Sequence, residues 1–190
     1  MRPVAAAALL TAAVLAVPAH GASPSRDWTT FDFTASRTGV NPNATGITAA
    51  NVKFLSLDRV ALDGTVDSSA IYLHGASIRG GTHDAFFVTT TYGRTEAIDA
   101  SSGAVLWRFT PPGYSSWAGS AQITTATPVA DPSRKWIYAS SPGGRIYKLS
   151  VATGRPVWSV SITRLPSREK IASALNFAAG HVIATTGGYI

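Results

Sequence analysis

The chain has 190 residues, 45% of them hydrophobic and 14% charged, the balance of a folded protein rather than of a disordered or membrane-embedded one. It has no cysteine, which excludes structural disulfides and Cys-based zinc sites, and a lipid anchor on a leader Cys is not expected. The formal charge of +6 is scattered singly, with no basic stripe or clustered aromatic platform, so nucleic-acid binding is not expected.

Residues 1–21 stand apart. Arg2 gives a positive start, Ala5 to Val17 is an unbroken run of small and apolar residues, and Ala19-His20-Gly21 offers small residues where a signal peptidase reads. The run is too short to span a bilayer, and Pro18 argues against a buried helix. It predicts a secretory signal cleaved after Gly21 and an extracytoplasmic protein, periplasmic or secreted. Nothing after residue 22 reads as a transmembrane helix. The 15 basic and 10 acidic residues that follow leave a net charge of about +5. Residues 22–53 form an opening segment, and residues 54–190 hold everything that repeats.

Within that region, Leu55 to Leu62 reads as a strand ending in Leu62-Asp63-Gly64, the place where a fourth strand would close a ring. A first unit, about 68–110, predicts strands at Ser69 to Leu73, Ala85 to Thr90, Arg94 to Ile98 and Val105 to Phe109. A second unit covers about 125–161. A third, 172–190, is incomplete: Ala172 to Asn176 repeats the first-strand start, and His181 to Thr186 followed by Gly187-Gly188 reads as a second strand and its turn. Short apolar runs punctuated by Gly, Pro, Ser and Thr are the texture of an all-β chain.

Phe87 to Trp107 and Tyr138 to Trp158 superimpose at a constant shift of 51, pairing Gly93 with Gly144, Arg94 with Arg145, Gly103 with Gly154 and Trp107 with Trp158. The paired glycines sit where tight turns call for positive φ. Alternation puts Val105, Trp107 and Phe109 on one face, and Pro156, Trp158 and Val160 on the corresponding face. A single four-stranded sheet cannot bury both its faces, so each unit must stack on the next, with the repeated Trp as wedge.

Ala97-Ile98-Asp99-Ala100-Ser101-Ser102-Gly103-Ala104-Val105-Leu106-Trp107 resembles the tryptophan-docking repeat of the pyrroloquinoline-quinone (PQQ) enzymes and their relatives, Ala-x-Asp-x-x-Thr/Ser-Gly-x-x-x-Trp. The second copy keeps Thr153, Gly154 and Trp158. Asp27-Trp28, Arg37-Thr38-Gly39, Leu62-Asp63-Gly64 and Ser68-Ser69-Ala70 also resemble that family. The resemblance implies a β-propeller of four-stranded antiparallel blades: about two complete blades with parts of two others. A seven- or eight-bladed ring at about 50 residues per blade asks for roughly 350 to 400 residues, so the chain is expected to be a fragment of one.

The resemblance implies two functional classes. One is a non-catalytic propeller that binds or scaffolds, as relatives in outer-membrane barrel assembly do. The other is the N-terminal part of a PQQ-dependent alcohol, sugar or polymer dehydrogenase, whose members use a vicinal Cys pair, acidic and Asn ligands for calcium and a catalytic Asp. PQQ with calcium enters by resemblance only. Of the acids, Asp67 at the mouth of the first inner strand and Glu96 within a strand are plausibly placed. Asp63 and Asp99 read as turn residues capping their own backbone. His74, His83 and His181 are too dispersed for a metal site, and His83-Asp84 reads as a solvated turn. Asn43-Ala44-Thr45 matches a glycosylation triplet of low specificity. The starts of the inner strands, Ser68, Ser69, Thr127, Ser173 and Asn176, would ring a central channel and offer small polar groups to a protein partner or small ligand on the propeller axis. Small residues there also answer to crowding at the centre.

Overall fold

In the computed structural model, which describes residues 26–188, the 51-residue period becomes two four-stranded antiparallel sheets. The first joins β1 (Ile71–Ile78), β2 (Gly81–Thr89), β3 (Thr95–Asp99) and β4 (Val105–Phe109) in sequence order. The second joins β5 (Val129–Ala130), β6 (Trp136–Ser141), β7 (Arg145–Ser150) and β8 (Pro156–Ser161) in the same way. Gly93 (φ 81°) and Gly144 (φ 71°) close the second hairpin of each sheet, where a side chain would be strained. Beyond them, β9 (Glu169–Lys170) pairs with β12 (Gly187–Gly188), and β10 (Asn176–Ala178) with β11 (His181–Ile183). Gly187-Gly188 is therefore a strand, not the turn its composition suggests, because β9 supplies it with a partner.

The two large sheets stack face to face. Ile71, Leu73, Ile78, Phe87, Trp107 and Phe109 of the first meet Ala130, Ile137, Tyr147, Leu149 and Val151 of the second in one buried core. Trp107 is the largest side chain in it. Its indole Nε1–H donates to the Val151 carbonyl at 2.7 Å, and its ring fills the space that a side chain at Gly154 would take. A smaller core of Ala126, Val129, Tyr138, Ile146, Ile171 and Leu175 joins the second sheet to the third unit.

The repeat is not energetically uniform. Trp158 sits 5.8 Å from Tyr138, as Trp107 does from Phe87, yet Trp158 remains 40% exposed where Trp107 is at 2%. The face-sharing expected from strict alternation also fails at one position per blade. Cross-strand pairing sets Val105 opposite Ile98 but Trp107 opposite Ala97, and Pro156 opposite Leu149 but Trp158 opposite Lys148. A bulge at Leu106 and at Val157 inserts a residue and moves Val105 and Pro156 to the other face.

Residues 55–62 form no strand. They follow a single 3-10 turn (Val52–Phe54) and carry exposed Leu55, Leu57 and Val60, because no described residue offers them a ladder partner. Val60 nonetheless packs on Gly103, the position equivalent to Gly154 beneath Trp107. The opening segment is tied down by paired backbone bonds between Trp28 and Tyr72, both 2.8 Å. The secretory signal expected at 1–21 lies outside the described residues, and among those described no helix is long and apolar enough to cross a membrane.

Candidate functional site

The beginnings of the three units converge. The backbone N–H of Ser69 donates to Thr127 Oγ1 at 3.1 Å, and Leu175 N–H to the Thr127 carbonyl at 3.0 Å. The Thr125 hydroxyl donates to the Ala172 carbonyl at 3.0 Å. These bonds tie unit to unit at the starts of their innermost strands. They leave a cavity of about 440 Å³ walled by Asp67, Ser69, Thr125, Thr127, Ser173 and, from the opening segment, Arg37 over Phe31.

Three of the five channel residues read from the sequence, Ser69, Thr127 and Ser173, therefore line one cavity. Ser68 does not: its hydroxyl donates to the Thr89 carbonyl at 2.8 Å, within its own blade. Asn176 opens β10 but lines a separate cavity of about 490 Å³ with Thr30 and Phe177. The repeat residues Gly103, Trp107, Gly154 and Trp158 belong to the last hairpin of each blade, not to the cavity.

Arg37 is the residue that the repeat could not reveal, since it stands outside the repeating units. Its φ is +57°, its N–H donates to the Thr34 carbonyl, and its guanidinium rests 5.0 Å from the Phe31 ring centroid. Nη2 reaches the Ala174 carbonyl at 3.5 Å, while Nη1 is buried with no acceptor among the described residues. Arg37 and the exposed Asp67 are thus the two charged residues lining this cavity.

Glu96, Asp99 and Asp84 are held in contacts within the first blade. Glu96 is fully buried in β3 and accepts from Arg108 Nε at 2.5 Å. Asp99 ends β3 and accepts from Ser101 N–H at 3.0 Å and Ser102 N–H at 2.8 Å through Oδ1, as a turn-capping carboxylate should. Its Oδ2 also meets His83 Nδ1 at 2.7 Å. His83 and Asp84 are accordingly not a solvated turn: both lie within β2, where Asp84 accepts from Gly75 N–H and pairs with His74.

The Ser101 hydroxyl, then His83 and the Ser102 N–H, hold the Asp99 carboxyl well below the usual carboxylate range. It titrates lower when folded than when unfolded, so its contribution is complete above the unfolded value near pH 4 and fades as pH falls below that. Asp99→Asn should therefore lower the melting temperature at pH 6 and narrow its distance from wild type at pH 2 to 3. A constant difference across that range, in thermal unfolding, would remove Asp99 as the source.

The cavity walls do not fit a calcium–quinone site by themselves. They supply one carboxylate, no Asn and no Trp. Among the described residues, no group of three or more His, Cys, Asp or Glu could hold a metal ion.

Stacked four-stranded antiparallel blades whose innermost strand starts converge on one cavity define a β-propeller of the PQQ-like repeat class. The chain belongs to the family described as outer membrane protein assembly factor BamB, whose model matches residues 56–188. No curated protein matches it. Among solved structures it is similar to quinohemoprotein alcohol dehydrogenase from Comamonas testosteroni, at 23% identity and TM-score 0.63, over 89% of this chain and 24% of that one. Quinohemoprotein alcohol dehydrogenase ADHIIG from Pseudomonas putida HK5 gives 23% identity and TM-score 0.67, over 85% of this chain and 23% of that one. A europium-containing methanol dehydrogenase gives 19% identity and TM-score 0.59, over 87% and 28%. The chain spans about a quarter of the length of these structures, and the likeness is one of fold.

Proposed function

We propose that this is an exported, non-catalytic propeller that binds or scaffolds through the axial end of its blades. The reading takes residues 1–21 as a removed signal, 22–53 as an opening segment and 54–190 as propeller. The observation that carries it is the cavity where three units begin. Its polar groups are hydroxyls, one guanidinium and one carboxylate, a set suited to hydrogen-bonding an occupant and poor in groups that would do chemistry on it. The family's description as an assembly factor is consistent with such a role.

A PQQ-dependent dehydrogenase of alcohols, sugars or polymers is the second reading. It is favoured by similarity to quinohemoprotein dehydrogenases over most of this chain, although shared fold does not carry function. Titrating the purified protein with PQQ and calcium, while following dye reduction with alcohols and aldoses, separates the two. The binding reading expects no turnover; saturable PQQ binding with turnover would replace it with the dehydrogenase.

A further inference from the structure

The joint between the two large sheets shows what each blade offers its neighbours. One face carries the tryptophan and the opposing face receives it: Trp107 of the first sheet fills the space at Gly154 and donates to the Val151 carbonyl of the second. The same two faces recur at the ends of the stack. At one end, Trp158 and Val160 of β8 share a face with Tyr138 and Ile146 and look onto the third unit. Phe177 and Val182 of that unit pack against this cluster, yet a cavity of about 360 Å³ stays beside Trp158, and both Trp158 and Val160 remain exposed. His181 and Val182 of β11 border that cavity. Among the described residues β11 pairs only with β10, so its second edge carries unpaired backbone groups.

At the other end, Val60 packs on Gly103, the glycine equivalent to Gly154. It holds residues 55–62 on the outer side of the first sheet, with no ladder partner among the described residues and with Leu55 and Leu57 exposed. Leu55 and Leu57 are two residues apart, and each is an odd number of residues from Val60, so an extended segment turns both leucines away from the side that Val60 uses. The segment is therefore anchored on one side and apolar on the other. These two surfaces lie on the opposite outer faces of two stacked sheets, which are themselves about 10 Å apart, so one molecule cannot bring them together. Two molecules can.

We propose that copies of this chain associate head to tail, residues 55–62 of one copy lying along the open edge of β11 in the next, with Leu55 and Leu57 against Trp158 and Val160. Strand addition of this kind supplies main-chain hydrogen bonds along the edge and apolar burial on one face. The occupant is a second copy because the surface to be covered continues the joint between blades, and the chain itself carries the segment that fits it. The interface is heterologous, so each added copy leaves one free segment and one free edge, and the assembly grows into a ring or an open chain.

Sedimentation equilibrium of the full chain across a concentration series tests this. The mass should rise above that of a single chain as concentration rises, and L57D and V160D should each weaken association at least about tenfold, or about 1.4 kcal/mol. Both positions are exposed, and an unchanged circular dichroism spectrum checks that each variant folds; V160S replaces V160D if it does not. Mixing the two variants tests the head-to-tail arrangement itself. L57D keeps an intact edge and V160D an intact segment, so together they should form a one-to-one dimer and nothing larger, at a concentration where each alone stays monomeric. A wild-type chain that remains monomeric throughout, variants that associate as wild type does, or a mixture that stays monomeric overturns the proposal.

Discussion

Trp107→Ala should destabilise the protein by about 3–5 kcal/mol, the range for removing a fully buried aromatic side chain from a core. Trp107 is at 2% exposure between the two large sheets, against Phe87, and its indole N–H satisfies the Val151 carbonyl. Truncation opens a cavity at the joint between blades and leaves that carbonyl without its donor. For a chain of this size the loss corresponds to roughly 8 to 15 °C in melting temperature. Trp158→Ala, at the equivalent place in the second blade, should cost only about 1–2 kcal/mol, since that ring is 40% exposed and buries less area. Thermal unfolding of both variants reads the asymmetry. Equal shifts would mean that the joint between the first two blades does not depend on Trp107.

Gly154→Ala is the complementary change on the other side of the same contact. A Cβ built there would lie 2.5 Å from Trp107 Cε3 and 2.6 Å from Cδ2, on a rigid, buried ring that cannot swing away. Gly154 also has φ +70°, which costs an alanine about 1–2 kcal/mol, and overpacking adds about 1–3. The sum, about 2–5 kcal/mol, approaches the loss of the Trp itself. Gly180→Ala isolates the backbone part, because Gly180 has φ +79° and nothing within 4 Å of its would-be Cβ. Gly154→Ala should therefore exceed Gly180→Ala by the steric part, and combining it with Trp107→Ala should be markedly less than additive. Additive losses would show that the two residues do not press on each other.

What the sequence makes legible is whatever recurs. The 51-residue shift places the last three strands of both four-stranded sheets, the turn glycines and the docking tryptophans, because each is fixed by contacts inside a unit or between identical units. Departures from strict alternation are not legible. Bulges at Leu106 and Val157 depend on how β4 and β8 meet their neighbours, and they move Val105 and Pro156 to the opposite face. Nor does composition say how much of a unit's face is covered, which is why Trp158 looks identical to Trp107 as a letter and differs from it in burial. At the site, Ser69, Thr127 and Ser173 could be found because they occupy equivalent strand starts. Asn176 could not be separated from them, since two or three residues along a strand mouth decide which cavity a side chain enters. Arg37 carried no signal within the repeat, and Asp99 gave only its turn: its second partner, His83, comes from another strand.

The stacking of one blade on the next through Trp107 underlies both the fold and the cavity at its axial end. Amide and indole hydrogen exchange measures that joint directly, since the chain has five tryptophans and five indole N–H signals. The Trp107 Nε1–H, bonded to Val151 and sealed from solvent, should exchange at the slow rate of the surrounding strands, and that of Trp158 should exchange far faster. A Trp107 signal that exchanges as readily as that of Trp158 would contradict the stacked-blade account.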